Sequence, residues 1–136
     1  MSVHVDGNAI GGLLLDTFGV ELTDAMGECA TCGNVGAVAT FHGGGLVTDQ
    51  PNSPHLEAAK TKAQFLIAIA ANDDARSPKD KDVMKETFAK ANLPAEIEVY
   101  ANAAHGWCPP DSRVYNEAQA EKAWSRLLAL YEKALA

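Results

Sequence analysis

The sequence lacks three features that mark whole classes of protein: a long apolar run, a basic surface and an export signal. No apolar run approaches the ~20 residues that span a bilayer, so we expect no membrane-spanning segment. The net charge is -7, which argues against nucleic acid binding because phosphate contacts require a basic face. The first residues lack the basic and apolar regions of a signal peptide, so we expect a cytoplasmic protein.

Cysteine is also scarce, with 3 residues in the chain. In a chain without an export signal we expect reduced thiols, and the C-x-x-C spacing of Cys29 and Cys32 favours metal or redox use over a structural bridge. Two thiolates need two further ligands to close a zinc site. The sequence therefore has to supply other metal-binding side chains if the C-x-x-C holds an ion.

The elements that are present alternate along the chain. The length of 136 residues suits one domain with a modest core. Apolar runs predict strands over residues 36–41, 64–70 and 96–100, and the continuous run at 64–70 is typical of a strand covered on both faces. Helices are predicted over residues 7–18, 78–91 and 116–135. This alternation is typical of an α/β fold with about three parallel strands.

Two of these helices carry further expectations. Ser77 and Pro78 have the residue types of a helix start, and the helix should run to about Asn92. Helical spacing predicts that the last helix buries an apolar stripe: Ala120, Ala123, Trp124, Leu127, Leu128, Tyr131 and Leu135. Trp107 and Trp124 are both expected in the core.

Chemically active side chains follow each predicted strand. His42 follows the first strand, Asp73 and Asp74 follow the second, and His105 follows the third. Because an open α/β sheet carries its site outside the carboxyl ends of the strands, these side chains should converge at one edge.

The stretches that carry these residues resemble a known family. FHGGGLVTDQPNSPHL, FLIAIAANDDARSP, EIEVYANAAHGWCPPDS and YNEAQAEKAWSRLLALY are similar to the carboxyl-terminal half of the dienelactone hydrolases, which are α/β hydrolases. That family uses a Cys-His-Asp triad. The resemblance implies that His105 is the base and that Asp74, ahead of Pro78, is the acid, with Asp73 the less favoured choice. The G-x-C-x-G elbow that holds the family's nucleophile is absent, and its strand is expected to be missing.

The opening segment resembles a different, small family of bacterial proteins with two C-x-x-C knuckles, of which the first is present here. The resemblances divide the chain into an N-terminal helix and C-x-x-C segment, residues 1–40, and a half-hydrolase segment, residues 41–136. We interpret the chain as a fusion of two fragments that form one compact unit.

A metal-bound water could replace the missing thiol, because a bound Zn²⁺ lowers the pKa of its water to about 7. The leading hypothesis is a metal-dependent hydrolase of phosphoesters or activated esters, using Zn²⁺ or another divalent transition metal. Its ligands would be Cys29, Cys32, His42 and His105, with Asp74 as base or as a support for a ligand. The alternatives are a metal-binding scaffold without catalysis and a weak thiol hydrolase using Cys108 or Cys32.

Self-association is a further expectation. If the elbow strand is missing, the strand at 36–41 exposes unpaired N–H and C=O groups. The opening segment can cover part of this edge, and a second copy of the chain can cover the rest. The sequence therefore predicts a homodimer or higher homo-oligomer, with the metal site at or near the subunit interface.

Overall fold

A parallel β-sheet forms the centre of the part of the chain that the computed structural model describes, which is residues 2–5, 35–41, 43–134 and 136. The strands are β1 (Ser2–Val5), β2 (Val35–Phe41), β3 (Gln64–Ala70) and β4 (Ala95–Tyr100). They lie side by side in chain order, and every neighbouring pair is parallel. Parallel neighbours require crossover connections, so this is the α/β architecture that the alternating sequence pattern predicts, and that prediction is confirmed.

Four helices accompany these strands in the described residues: α1 (Pro54–Ala58), α2 (Ala71–Arg76), α3 (Asp80–Lys90) and α4 (Glu117–Ala134). Helix α3 begins later than Pro78, because residues 77–79 form a turn in which the Asp80 N–H donates to the Ser77 carbonyl at 3.1 Å. The helix stops before Asn92, whose φ of 55° is a left-handed value that asparagine tolerates. None of the described helices is long and apolar enough to cross a membrane.

Apolar side chains are buried on both faces of the sheet, because alternate residues of a strand point to opposite faces. One face packs against α4 and the loop after β4, in a cluster that includes Ala39, Phe41, Leu66, Ala68, Ala70, Tyr100, Trp107, Ala123 and Leu127. The other packs against α1 and α3, in a cluster that includes Val38, Leu46, Ala58, Phe65, Ile67, Met84, Phe88 and Ile97. Strand β3 lies between β2 and β4, which explains its continuous apolar sequence.

Strand β1 is the element that the sequence did not predict. Its four residues pair in parallel with β2, from Ser2 beside Val35 to Val5 beside Ala39. Strand β2 is therefore an inner strand over this length, and residues of the opening segment cover that part of its edge. The predicted helix at residues 7–18 lies outside the described residues.

The last helix buries a narrower stripe than its sequence predicts. Leu127 is fully buried, but Trp124 and Leu128 are 41% and 43% exposed, so their predicted burial is wrong. Successive helical residues are about 100° apart, and a helix lying on a sheet buries only the residues that point at the sheet. Trp107, in contrast, is in the core as predicted, at 0% exposure. Leu135 lies outside the described residues.

Candidate active site

The carboxyl ends of β3 and β4 bring a histidine and two aspartates to one edge of the sheet. The two strands end in register, with Ala70 beside Tyr100. The chain enters α2 directly after Ala70, whereas after Tyr100 it forms a loop that carries His105. Because neighbouring parallel strands end at the same edge, residues far apart in sequence meet there, as the sequence predicts for this pair of strands.

His105 and Asp73 form the central contact of this edge. The Nδ1 atom of His105 lies 2.7 Å from Oδ2 of Asp73. An ionised carboxylate only accepts hydrogen bonds, so Nδ1 carries the proton and Nε2 is the acceptor nitrogen of the neutral ring. The histidine side chain is 52% exposed and the aspartate side chain 18% exposed, so the imidazole is partly exposed to solvent while the carboxylate is mostly enclosed. This is the arrangement of an oriented general base.

The structure places Asp74 differently from the expectation that it orients His105. Its Oδ1 accepts a hydrogen bond from Nζ of Lys81 at 2.7 Å, and Lys81 also donates to the carbonyl of Pro78 at 2.8 Å. Both aspartates lie in the first turn of α2, so their side chains leave the helix about 100° apart. Only Asp73 points at His105, and the carboxylate that the sequence favoured points at α3. The proline downstream marks the segment but does not distinguish two consecutive aspartates.

The loop after β4 holds His105 through its neighbours in the chain. Gly106 has φ of +93°, a left-handed value that side chains with a Cβ rarely adopt. This turn at Gly106 separates the exposed His105 from Trp107, which is fully buried and lies with its ring centroid 5.3 Å from that of Tyr100. The main-chain N–H of His105 donates to Oδ1 of Asn72 at 2.8 Å, and the N–H of Ala71 donates to the carbonyl of Ala103 at 2.8 Å.

A cleft of about 110 Å³ lies on the Asp73 side of this pair. Its lining includes the glycine run at residues 43–45, together with Leu46, Ile69, Asp73, Asp74, Ser77, Asp80, Lys81 and Met84. Three carboxylates thus share the cleft with one lysine. Burial raises the pKa of the Asp80 carboxyl, and the nearby His55 opposes this effect. A cleft with this balance of charge disfavours an anionic ligand.

His55 does not join the site at the sheet edge. It lies in α1 at 6% exposure, with Nδ1 at 2.7 Å from Oγ of Ser53. That hydroxyl in turn accepts the N–H of Thr48 at 2.8 Å, and the N–H of His55 donates to the carbonyl of Leu46 at 3.0 Å. His55 therefore stabilises the loop that follows the glycine run.

Cys108 has the environment of a structural thiol. It is 5% exposed, and burial raises its pKa from 9.0 to about 12. The thiolate is the reactive form of cysteine, so a thiol with this pKa is a poor nucleophile at neutral pH. This geometry opposes the hypothesis of a thiol hydrolase that uses Cys108.

Three of the four predicted metal ligands, Cys29, Cys32 and His42, lie outside the described residues. Within the ranges that are described, no group of three or more His, Cys, Asp or Glu side chains is arranged to hold a metal ion. His105 is the one predicted ligand that is described, and it pairs with Asp73. The four-ligand site therefore stays a prediction.

One contributor to this edge was missed entirely from the sequence. Asn72 precedes the two aspartates, and a lone asparagine after a strand carries no recognisable sequence signal. Its contact with His105 depends on the course of the loop after β4, which the sequence pattern does not predict.

Known proteins resemble the chain in sequence and in fold. The model of the dienelactone hydrolase family matches residues 23–135. A solved structure from Klebsiella pneumoniae subsp. pneumoniae, assigned as a dienelactone hydrolase, is 26% identical with a TM-score of 0.66, over 76% of this chain and 45% of that one. A dienelactone hydrolase-like promiscuous phosphotriesterase from metagenomic libraries is 18% identical with a TM-score of 0.62, over 78% of this chain and 45% of that one. None of the curated proteins matches the chain.

These matches bear on the organisation of the chain in two ways. The chain spans less than half the length of the solved structures that it resembles, at 45% in each case. The family match begins at residue 23, so it includes Cys29 and Cys32. The separate origin of residues 1–40 in a second family is not shown and stays a prediction.

Proposed function

Because the chain belongs to the dienelactone hydrolase family, we propose that it is an ester hydrolase in which His105, oriented by Asp73, is the general base. The single observation that carries this proposal is the 2.7 Å contact between His105 Nδ1 and Asp73 Oδ2. Such a contact fixes the tautomer and the direction of the ring, and an aligned base accelerates proton transfer by about 10²–10⁴-fold.

Water is the attacking group in this proposal, since the sequence has no G-x-C-x-G elbow. Nε2 of His105 removes a proton from the water as its oxygen bonds to the ester carbonyl carbon. The tetrahedral intermediate then collapses, the bond to the leaving oxygen breaks, and the imidazolium returns the proton to that oxygen. Asp73 stays ionised throughout and stabilises the imidazolium that forms in between.

The charge of the cleft favours neutral substrates. Asp73, Asp74 and Asp80 outnumber Lys81 in its lining, so a phosphomonoester dianion is repelled, whereas a carboxylic ester or a neutral phosphotriester is not. The phosphotriesterase among the structural relatives makes a phosphotriester a reasonable second substrate to test. We therefore narrow the phosphoester hypothesis to uncharged phosphotriesters.

The proposal is tested with p-nitrophenyl acetate, a p-nitrophenyl dialkyl phosphate triester and p-nitrophenyl phosphate. We expect His105→Ala to lower kcat by about 10²-fold or more and Asp73→Asn to lower it by about tenfold or more. Asp74→Asn should lower kcat less than Asp73→Asn does, and Asp82→Asn, an exposed change on α3, serves as the control. If Asp74→Asn lowers kcat more than Asp73→Asn does, Asp74 is the catalytic carboxylate.

A metal-dependent route is the alternative proposal. It draws on Cys29, Cys32, His42 and His105 as ligands of Zn²⁺ or another divalent transition metal, with Asp74 as the base. Imidazole and thiolate are suitable zinc ligands, and His42 follows the last residue of β2 directly in the sequence. Elemental analysis decides between the routes. The metal route is supported if the protein contains stoichiometric metal and loses activity both on chelation and in Cys29→Ser. The water and His105 route is supported if a metal-free protein has full activity. Metal without hydrolysis would indicate a scaffold.

We also propose that the chain is a homodimer or higher homo-oligomer. Strand β1 covers β2 only up to Ala39, and its own four residues form a short outer strand among those described. A second copy can pair with that outer edge. Light scattering at micromolar concentration tests this, and a monomer would contradict it.

A further inference from the structure

The hydrogen bond between Asn72 and the backbone of His105 has a consequence for the proposed base. Asn72 and Asp73 are consecutive in α2, and both of their side chains reach the same residue on the neighbouring loop. Oδ1 of Asn72 accepts the main-chain N–H of His105 at 2.8 Å, while Oδ2 of Asp73 lies 2.7 Å from the ring Nδ1. One residue is thus held at its backbone and at its ring from one turn of helix.

The two contacts act on different parts of His105, whose side chain is 52% exposed. The contact with Asp73 acts on the ring, whereas the contact with Asn72 acts on the backbone, and a shift at Cα moves the ring. A displacement of about 1 Å at a catalytic group is enough to cost about 10²-fold in rate.

Two further hydrogen bonds hold the loop on either side of His105. The N–H of Ala71 donates to the Ala103 carbonyl at 2.8 Å, two residues before the histidine. The N–H of Asn116 donates to the Trp107 carbonyl at 3.0 Å, two residues after it. The Asn72 contact lies between these two, on the residue whose position decides the chemistry.

We propose that Asn72 is a positioning residue for His105. By accepting the main-chain N–H of His105, it fixes the position of the imidazole relative to the strand ends, so that Nδ1 lies within hydrogen-bond distance of Oδ2 of Asp73. The proposal rests on His105 as the base of the proposed hydrolase. The conformational part of it, however, concerns the geometry of His105 alone and can be judged without any activity. Asn72→Ala removes the acceptor, and Asn72→Asp keeps an oxygen acceptor at the same place.

The experiment combines NMR with kinetics on four proteins: the parent, Asn72→Ala, Asn72→Asp and Asn52→Ala, an exposed loop asparagine that serves as the control. Amide hydrogen exchange reports on the His105 N–H, and long-range ¹H–¹⁵N spectra report on which ring nitrogen carries the proton. We expect exchange at His105 to rise by about tenfold or more in Asn72→Ala, as for a lost protecting hydrogen bond, and the Nδ1–H signature to weaken. Asn72→Asp should restore both.

In the kinetic measurements we expect kcat to fall by about tenfold to a hundredfold in Asn72→Ala with little change in KM, and we expect kcat to recover in Asn72→Asp. Unchanged exchange and an unchanged tautomer in a folded Asn72→Ala protein overturn the proposal, whatever the activity. If Asn72→Ala does not fold, an Asn72→Asp protein whose His105 amide has lost its protection overturns it instead. If the NMR changes appear but His105→Ala retains full activity, the positioning role stands and the base assignment fails.

Discussion

Replacing Leu127 by alanine tests how α4 lies on the sheet. Leu127 is fully buried, in the cluster that contains Phe41, Tyr100 and Trp107, and the substitution removes three carbon atoms from it. Each buried carbon contributes ~0.8 kcal/mol, and the cavity that remains adds a further cost. We therefore expect Leu127→Ala to lower the free energy of unfolding by about 3 kcal/mol. Leu128 is 43% exposed, so Leu128→Ala should cost only about 1 kcal/mol.

Urea denaturation followed by circular dichroism measures both values. A small domain has about 5–15 kcal/mol of stability, so both variants should still fold and the midpoints can be compared directly. The pair should be measured at two protein concentrations, since a dimer interface on the Trp124 and Leu128 face would make the second value depend on concentration. If Leu128→Ala lowers the free energy of unfolding as much as Leu127→Ala does at every concentration, Leu128 is buried as the sequence pattern predicted, and this account of how α4 packs is wrong.

Further predictions follow from the thiol and from the loop. Cys108 should resist iodoacetamide at pH 8 in the native protein and react in urea, as checked by peptide mass mapping, because a thiol of pKa about 12 is about 0.01% thiolate at that pH. Burial raises the pKa of both Cys108 and Tyr100, so the neutral forms are favoured in the folded state. Stability should therefore fall as pH rises above the ordinary thiol value, by about 1.4 kcal/mol per pH unit for Cys108, and Cys108→Ala should flatten the profile measured by urea unfolding between pH 9 and 10.5. Gly106→Ala should destabilise the protein by about 1–2 kcal/mol through its positive φ, since the added Cβ meets its nearest atoms at an ordinary 3.6 Å, and an unchanged melting temperature would contradict the left-handed turn.

The sequence predicts the strands whose burial in the sheet produces a recognisable pattern of apolar residues. Strand β3 is buried on both faces and reads as a continuous apolar run, and β4 follows with alternating residues. Strand β1 has only four residues, too few for either pattern to emerge, so its pairing with β2 could not be found in this way. The start of α3 differed from prediction because a serine followed by a proline suits a turn as well as a helix start.

The sequence pattern predicts the strand ends at which the candidate residues lie, but it does not predict which aspartate contacts His105. Strand order and direction determine which edge carries the side chains, and these follow from the α/β pattern. The choice between Asp73 and Asp74 depends on the rotation of α2, where one residue changes the direction of a side chain by about 100°. The hydrogen bond that Asn72 accepts from the His105 N–H depends in addition on the course of the loop after β4, whose sequence has no periodic pattern.

The base and its carboxylate require little of the chain beyond two neighbouring strands. Strands β3 and β4 pair from Phe65 beside Ala95 to Ala70 beside Tyr100, and α2 and the His105 loop leave directly from the ends of that pairing. Both ends are further fixed by local contacts, from Ala71 to Ala103 and from Asn72 to His105. A nucleophile on a separate strand would need the whole sheet to place it, whereas the His105 and Asp73 pair needs one register. This locality explains how the His105 and Asp73 pair can form in a chain that spans less than half the length of its structural relatives.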